Sequence, residues 1–98
     1  MSKIHVISTG RNANSFVLKC VDSVKNQNLQ PSSHVVIDDI SDDNTRNLLM
    51  RYLHNDDYPY LAIVFNTQRK FRLLNLYENI VNKDPEDIIC IVDTDDWL

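Results

Sequence analysis

Residues 88–96 read Ile88-Ile89-Cys90-Ile91-Val92-Asp93-Thr94-Asp95-Asp96, an apolar run followed at once by three carboxylates within four positions. An unbroken apolar run of this length is typical of a strand that is buried on both faces of a parallel sheet. Ligands of open parallel sheets bind beyond the carboxyl ends of the strands. This stretch therefore predicts a fold class and also the edge of the sheet where a site is expected.

Three similar apolar runs precede it, at residues 4–8, 34–38 and 60–65. Apolar residues at helical spacing fill the intervals between the four runs. The first interval carries a helix that Asn14 or Ser15 could cap, and Asp43 or Asn44 could cap the second helix, which ends at residues 55–59. The third helix covers residues 71–81. The order β-α-β-α-β-α-β predicts an α/β fold, a Rossmann-like and mostly parallel sheet flanked by helices.

The helical spacing also predicts which side chains face the sheet. They are Phe16, Val17, Cys20, Val21 and Val24 in the first helix, Leu48, Leu49, Tyr52 and Leu53 in the second, and Leu73, Leu74, Tyr77, Ile80 and Val81 in the third. Phe71 is interpreted as a core residue as well.

Composition excludes several classes of function. The chain has 98 residues, which fits one domain, and its net charge of −4 argues against nucleic acid as a partner. Gly10 is the only glycine, so the glycine-rich phosphate loops of dinucleotide-binding and P-loop proteins are excluded. No apolar run approaches the roughly 20 residues that span a bilayer. We expect a cytoplasmic protein, peripheral to the membrane at most through further segments.

Polar residues cluster after each predicted strand. They are residues 9–12, Asp38 and Asp39, Arg69 and Lys70, and residues 93–96. Neighbouring carboxylates repel one another unless a cation compensates them. Mg²⁺ and Mn²⁺ prefer such oxygen ligands and complete their shells with water and substrate phosphates. The Asp-X-Asp spacing of Asp93 and Asp95 therefore predicts either a divalent metal site or an acidic loop that is solvated and caps a helix. Asp42, Asp43, Asp56 and Asp57 are interpreted as loop and capping residues.

Four segments together resemble glycosyltransferase family 2. They are residues 6–12 (VISTGRN), 20–27 (CVDSVKNQ), 36–45 (VIDDISDDNT) and 92–96 (VDTDD), and they extend across almost the whole chain. The resemblance implies a GT-A fold and a nucleotide-sugar donor, with UDP-sugar expected. Residues 1–98 would then form its N-terminal, nucleotide-sugar-binding part, truncated after the acidic motif.

The resemblance also implies roles for single residues. Asp39 is expected to accept a hydrogen bond from N3–H of uracil, and Thr9 and Asn12 to contact the nucleotide. Arg11 belongs to the same set, at a position where relatives often carry an aromatic residue, which puts stacking on the base there in doubt.

The remaining implied roles concern the metal and the diphosphate. Asp95 is expected to be the principal metal ligand, with Asp93 facing both ribose and metal, while Asp96 has no firm role. Lys70 is the expected basic contact to the nucleotide, with Arg69 and Arg72 as alternatives in the same loop.

The predicted function is transfer of a sugar from a nucleotide diphosphate donor, with Mn²⁺ or Mg²⁺, to a glycan, lipid or protein acceptor. No catalytic residue is assigned, because relatives supply the general base and acceptor site after the acidic motif. We accordingly expect the 98-residue chain to be inactive in transfer and to self-associate through uncovered apolar surface.

The same residues allow two alternatives to this function. A non-catalytic nucleotide-binding or metal-binding half-domain would also explain the acidic motif. A receiver-like signalling domain is disfavoured, because its first strand should end in an acidic pair and its third in a single Asp. Here those strands end in Thr9-Gly10 and Asn66-Thr67.

Overall fold

The computed structural model describes residues 2–54 and 58–98, without the side chains of residues 53 and 54. The elements in chain order are β1 (Ile4–Gly10), α1 (Val17–Lys25), β2 (Ser33–Asp38), α2 (Thr45–Met50) with a 3₁₀ turn (Arg51–His54), β3 (Leu61–Phe65), α3 (Phe71–Ile80) and β4 (Ile88–Ile91). The predicted order is confirmed. Of the predicted end of the second helix at 55–59, residues 55–57, which include Asp56 and Asp57, lie outside the described residues, as does the predicted inward side chain of Leu53. Within the described part, no helix has both the length and the apolar character to cross a membrane.

The four strands form one sheet in the order β3-β2-β1-β4, with every neighbouring pair parallel. Gly10 pairs with Asp38, and Asp38 pairs with Phe65, so β1, β2 and β3 end level with one another. The chain after β4 continues alongside β1, since the amide of Thr94 donates to the carbonyl of Thr9 at 3.2 Å. All four carboxyl ends therefore meet at one edge of the sheet.

Helices cover both faces of the sheet, as predicted. Successive strand residues point to opposite faces, so Val6 and Val36 join one core and Ile7 and Ile37 the other. The first core also takes residues of α1 and α2, while the second contains Leu76 of α3. The core on the α3 face of the sheet is the smaller of the two. Several apolar side chains of α3 therefore remain exposed.

The predicted inner face of α3 is wrong at four of its five positions, whereas Ile80 packs against the second core as predicted. Leu73, Leu74, Tyr77 and Val81 are exposed, whereas Asn75 and Leu76 are buried against the sheet. Asn75 can face inward because its side-chain amide donates to Thr9 Oγ1 at 2.9 Å and its Oδ1 accepts from Asn66 at 2.9 Å. Burying a polar side chain costs little free energy when its hydrogen bonds are satisfied. The apolar periodicity of the sequence does not predict such a residue.

Two aromatic residues and the cap of α1 also differ from expectation. Phe71 is 62% exposed and Phe16 is 44% exposed, so neither is a core residue. Phe16 occupies the N-cap of α1, which has no side-chain cap. At α2 the N-cap is Asn44, one of the two predicted candidates, and the carboxylate of Asp43 just before it accepts from the amide of Thr45 at 2.9 Å.

Candidate functional site

A cavity of about 370 Å³ opens at the carboxyl edge of the sheet. Its walls come from the segments after β1, β2, β3 and β4: Thr9, Gly10, Arg11, Asn12, Ala13, Phe16, Asp39, Arg69, Phe71, Arg72, Asn75, Asp93, Thr94 and Asp95. The structure thus brings the predicted site residues together in one place, with the exception of Lys70.

The acidic motif forms a tight turn beside the end of β1. One carboxylate oxygen from each of Asp93, Asp95 and Asp96 lies within 4.8 Å of the others. The turn is closed by the amide of Asp96, which donates to the carbonyl of Asp93 at 2.8 Å. Three acidic groups are therefore gathered at the mouth of the cavity by the backbone itself.

Gly10 allows this turn to lie against β1. A Cβ atom at position 10 would stand 1.8 Å from Oγ1 of Thr94 and 3.1 Å from its Cβ. Thr94 is buried and β-branched, so its side chain has little freedom to move away. The one glycine of the chain is thus required for close packing of strand and acidic turn.

Asp39 is buried and fully hydrogen-bonded by the loop that follows β3. Its Oδ1 accepts from the side chain of Asn66 and the amide of Lys70, and its Oδ2 accepts from Arg69 Nε and the amide of Phe71. The four donor–acceptor distances lie between 2.8 and 3.1 Å. Burial alone would raise the pKa of Asp39, but these hydrogen bonds outweigh it and hold the pKa at about 2. Asp39 is therefore an anion that fixes the loop.

A chain of buried hydrogen bonds links this loop to β1. The side chain of Asn66 donates both to Asp39 and to Asn75, and Asn75 in turn donates to Thr9. Thr9 is 2% exposed, so only a small part of it reaches the cavity. Its hydroxyl serves to hold α3 on the sheet.

Arg11 and Asn12 attach the loop after β1 to the loop after β2. Arg11 Nε donates to the carbonyl of Ile40 at 3.0 Å, and its Nη2 lies 2.8 Å from Asp42. Asn12 adopts a left-handed backbone with φ of 57°, and its Oδ1 accepts from the amide of Asp42 at 2.8 Å. The polar groups of both residues thus already have protein partners, and Asp42 acts within the loop as predicted.

Three cations follow β3, and they differ in what they reach. Lys70 is turned away, since its Nζ lies 2.9 Å from Glu78 and the residue does not line the cavity. Arg72 lines the cavity and lies 3.1 Å from Asp93, while Arg69 lies 3.1 Å from Asp39. Of the candidates that the sequence left open, the geometry favours the two arginines over Lys70.

The aromatic walls of the cavity were missed by sequence reasoning. Phe16 and Phe71 both line it. Phe16 stacks on Trp97, with ring centroids 6.2 Å apart and planes inclined by 19°. The guanidinium of Arg69 lies 4.3 Å from the centroid of the Phe71 ring. Their apolar character suggested core positions, and the available signal was their location immediately beside polar loops.

Comparison with known proteins agrees with this arrangement. The sequence model of Glycosyl transferase family 2 matches residues 5–98. The chain belongs to this family. No curated protein matches this family 2 domain.

Solved structures share the fold of the domain. A mannosyltransferase, PcManGT from Pyrobaculum calidifontis, in complex with GDP-Man and Mn²⁺, superposes with a TM-score of 0.77 at 24% identity over 95% of this chain. S. aureus TarS (residues 1–349) gives 0.75 at 21% identity over 97%, and its complex with UDP-GlcNAc gives 0.72 at 21% identity over 97%. The domain spans only 27%, 28% and 27% of those three chains, respectively. The GT-A glycosyltransferase fold predicted from sequence is confirmed.

Proposed function

We propose that this family 2 domain binds a nucleotide-sugar donor together with Mn²⁺ or Mg²⁺ and serves the transfer of its sugar. The observation that carries the proposal is the meeting of the acidic turn, Arg72 and Asp39 around one cavity. A nucleoside diphosphate can use all three kinds of group: carboxylates that hold a metal ion, a side-chain cation for the phosphates, and a polar partner for the base. Bound donors in the similar structures, GDP-Man in one and UDP-GlcNAc in another, support the same class of ligand.

The acidic turn suits a divalent cation. Its ligand atoms are carboxylate oxygens, which Mg²⁺ and Mn²⁺ prefer, and they are close enough to share one ion. Within the acidic turn, the ion pairs of the described residues give a protein cation to Asp93 alone, through Arg72. Asp95 and Asp93 are the proposed ligands, and Asp96 is a third candidate. A bound cation would neutralise charge on the departing diphosphate.

The chain's own cation for the donor is proposed to be Arg72. Its side chain is 59% exposed and its partner Asp93 is 27% exposed, so this ion pair is weak enough to exchange. A planar guanidinium suits phosphate oxygens, to which it can donate two hydrogen bonds. A metal ion held by Asp93 and Asp95 would free Arg72 to donate to the phosphate oxygens of the donor.

Uracil remains the proposed base of the donor. Asp39 has no free acceptor position in the structure, but Arg69 is 37% exposed and can leave Oδ2. N3–H of uracil could then replace the Arg69 donor, whereas adenine has no ring N–H to offer at that place. Guanine does carry such a donor, so UDP and GDP must be compared directly.

The alternative, a non-catalytic donor-binding half-domain, has an observation in its favour. Among the described residues, Asp39, Asp93 and Asp95 are the carboxylates that line the cavity. The first is saturated by hydrogen bonds and the other two are the proposed metal ligands, so none remains as a general base. We propose that the site for a glycan, lipid or protein acceptor, and the general base that activates it, lie elsewhere in the whole protein.

The test is calorimetric titration of UDP, GDP and ADP, with and without Mn²⁺. We expect UDP to bind most tightly and to need Mn²⁺. Asp95→Asn should remove the Mn²⁺ requirement and weaken binding roughly tenfold to a hundredfold, on the scale of lost charge-assisted contacts. Glu86→Gln, which removes one charge at the opposite edge of the sheet, should change nothing. Equal binding with and without Mn²⁺ in the unaltered chain would contradict the proposal.

A further inference from the structure

Phe71 combines three features that a core or surface phenylalanine does not need. It lines the donor cavity, it is 62% exposed, and its backbone has φ of 63°. The left-handed region is unfavourable for a bulky residue, and such strain persists only where surrounding structure enforces it. An exposed aromatic ring held in a costly conformation at a binding cavity points to a ligand.

The enforcing group is Asp39. Its carboxylate accepts the amide of Phe71 at Oδ2 and the amide of Lys70 at Oδ1, both at 2.8 Å. Two successive amides bound to one buried anion fix the direction in which the chain enters α3. The ring of Phe71 is thereby presented to the cavity, with the guanidinium of Arg69 over it at 4.3 Å from the centroid.

The other side chains at this edge do not offer an equivalent ring. Arg11 stands after β1, and its guanidinium is bound to Ile40 and Asp42. Phe16 is engaged in stacking with Trp97. Among the described residues that line the cavity, Phe71 is the aromatic residue without an aromatic partner.

We infer that Phe71 is the stacking platform for the base of the nucleotide, and that Asp39 positions it. The inference rests on the proposed function, because it assigns a residue to the same donor cavity. An aromatic ring attracts any nucleobase through its π face, so Phe71 supplies affinity, while the hydrogen-bonding groups around it supply the choice of base. Arg69, lying over the same ring, adds a cation beside the base.

The experiment compares two ligands on four chains: the unaltered protein, Phe71→Ala, Phe71→Gly and Phe71→Tyr. UDP carries a base, whereas inorganic pyrophosphate presents only the diphosphate, and both are titrated with Mn²⁺. Trp97, the single tryptophan, stacks on Phe16 at the cavity wall and gives a fluorescence signal in all four chains. Phe71→Gly is included because glycine relieves the left-handed strain while removing the ring.

We expect Phe71→Ala and Phe71→Gly each to weaken UDP binding roughly tenfold or more, the scale of one lost base–aromatic contact. Phe71→Tyr keeps the π face and should stay within about twofold of the unaltered chain. Pyrophosphate should bind all four chains equally. Unchanged UDP affinity in the alanine and glycine variants would overturn the inference, as would an equal loss for pyrophosphate, which would indicate a displaced loop. Failure of the unaltered chain to bind either ligand would instead overturn the proposed function, and this inference with it.

Discussion

His34 shows how a single buried residue couples this fold to pH. It is fully buried in β2, where its Nε2 lies 2.8 Å from Ser8 Oγ and its Nδ1 lies 2.9 Å from the hydroxyl of Tyr58. Burial disfavours the charged imidazolium and lowers the pKa of His34 to about 4. The ring therefore stays neutral in the folded protein at a pH where the unfolded chain is already protonated.

The stability linked to His34 is complete above pH 6.5 and is lost as the pH falls from about 6.5 to about 4, because the unfolded state alone takes up the proton. The loss should approach about 3 kcal/mol, from the size of the pKa difference. The measurement is an NMR titration of the His34 ring together with urea unfolding between pH 7.5 and 4.5. Ring signals that titrate near pH 6.5 in the folded protein would contradict this prediction. Asp39 acts in a separate, lower pH range. The stability linked to its lowered pKa is lost only as the pH falls from about 3.8 to about 2, because over that range the unfolded chain alone takes up the proton.

At the residue scale, the sequence predicts most of the cavity for a topological reason. Thr9 lies at the end of one parallel strand, and Asp39 and Asp93 follow two others, so the sheet brings them to one edge whatever the details of the loops. The direction of the Lys70 side chain could not be predicted in this way, because neighbouring residues of a loop can point in different directions. The saturation of Asp39 also could not be read from sequence, since two of its four donors are backbone amides.

At the scale of elements, the strands were predictable and the orientation of α3 was not. Apolar runs identify buried parallel strands because both of their faces are covered. The strand β3 is less buried than its composition suggests, with Ala62 and Val64 exposed, because it lies at the edge of the sheet. The rotation of α3 depends on Asn75, whose hydrogen bonds to Thr9 and Asn66 exist only once the fold has formed.

The packing of β1 against the acidic turn gives a prediction for a pair of elements. Gly10→Ala should destabilise the domain by about 1–3 kcal/mol, the usual cost of overpacking, because the new methyl group collides with Thr94. It should also weaken Mn²⁺ binding by shifting the turn. Urea unfolding and Mn²⁺ titration measure the two effects.

The double variant Gly10→Ala with Thr94→Ala provides the control for that clash. It removes the Oγ1 atom that the new Cβ would meet, so part of the lost stability should return relative to Thr94→Ala alone. A Gly10→Ala domain with unaltered stability and Mn²⁺ affinity would show that the contact is not tight.

At the scale of the whole molecule, half of the exposed large apolar side chains among the described residues lie on or beside α3 and β4. They are Phe71, Leu73, Leu74 and Tyr77 on α3, Val81 directly after it, and Ile88 and Ile91 on β4. The strand β4 also lies at the edge of the sheet, with one side of its backbone without a neighbouring strand among the described residues. Such surfaces favour association, so the self-association expected from sequence stays a prediction.

The central claim is that the acidic turn and the loops around it form one metal-dependent nucleotide site. The two ends of the strands offer an internal comparison. Asp93, Asp95 and Asp96 follow β4 at its carboxyl end, whereas Asp84, Glu86 and Asp87 precede it at its amino end. Each of these two clusters contains three acidic residues, but of the two only the first adjoins the cavity. A paramagnetic ion bound at one edge should therefore affect a distinct set of amides.

The most direct measurement is an NMR spectrum of the protein with trace Mn²⁺ and saturating UDP, because the paramagnetic ion broadens the amide signals closest to it. We predict the strongest broadening at residues 93–96 and 9–12, weaker broadening at residues 66–72, and none at residues 84–87. The same amount of Mn²⁺ without UDP should broaden the first set less, since the diphosphate completes the coordination shell. Broadening centred on residues 84–87, or none at residues 93–96, would contradict the account.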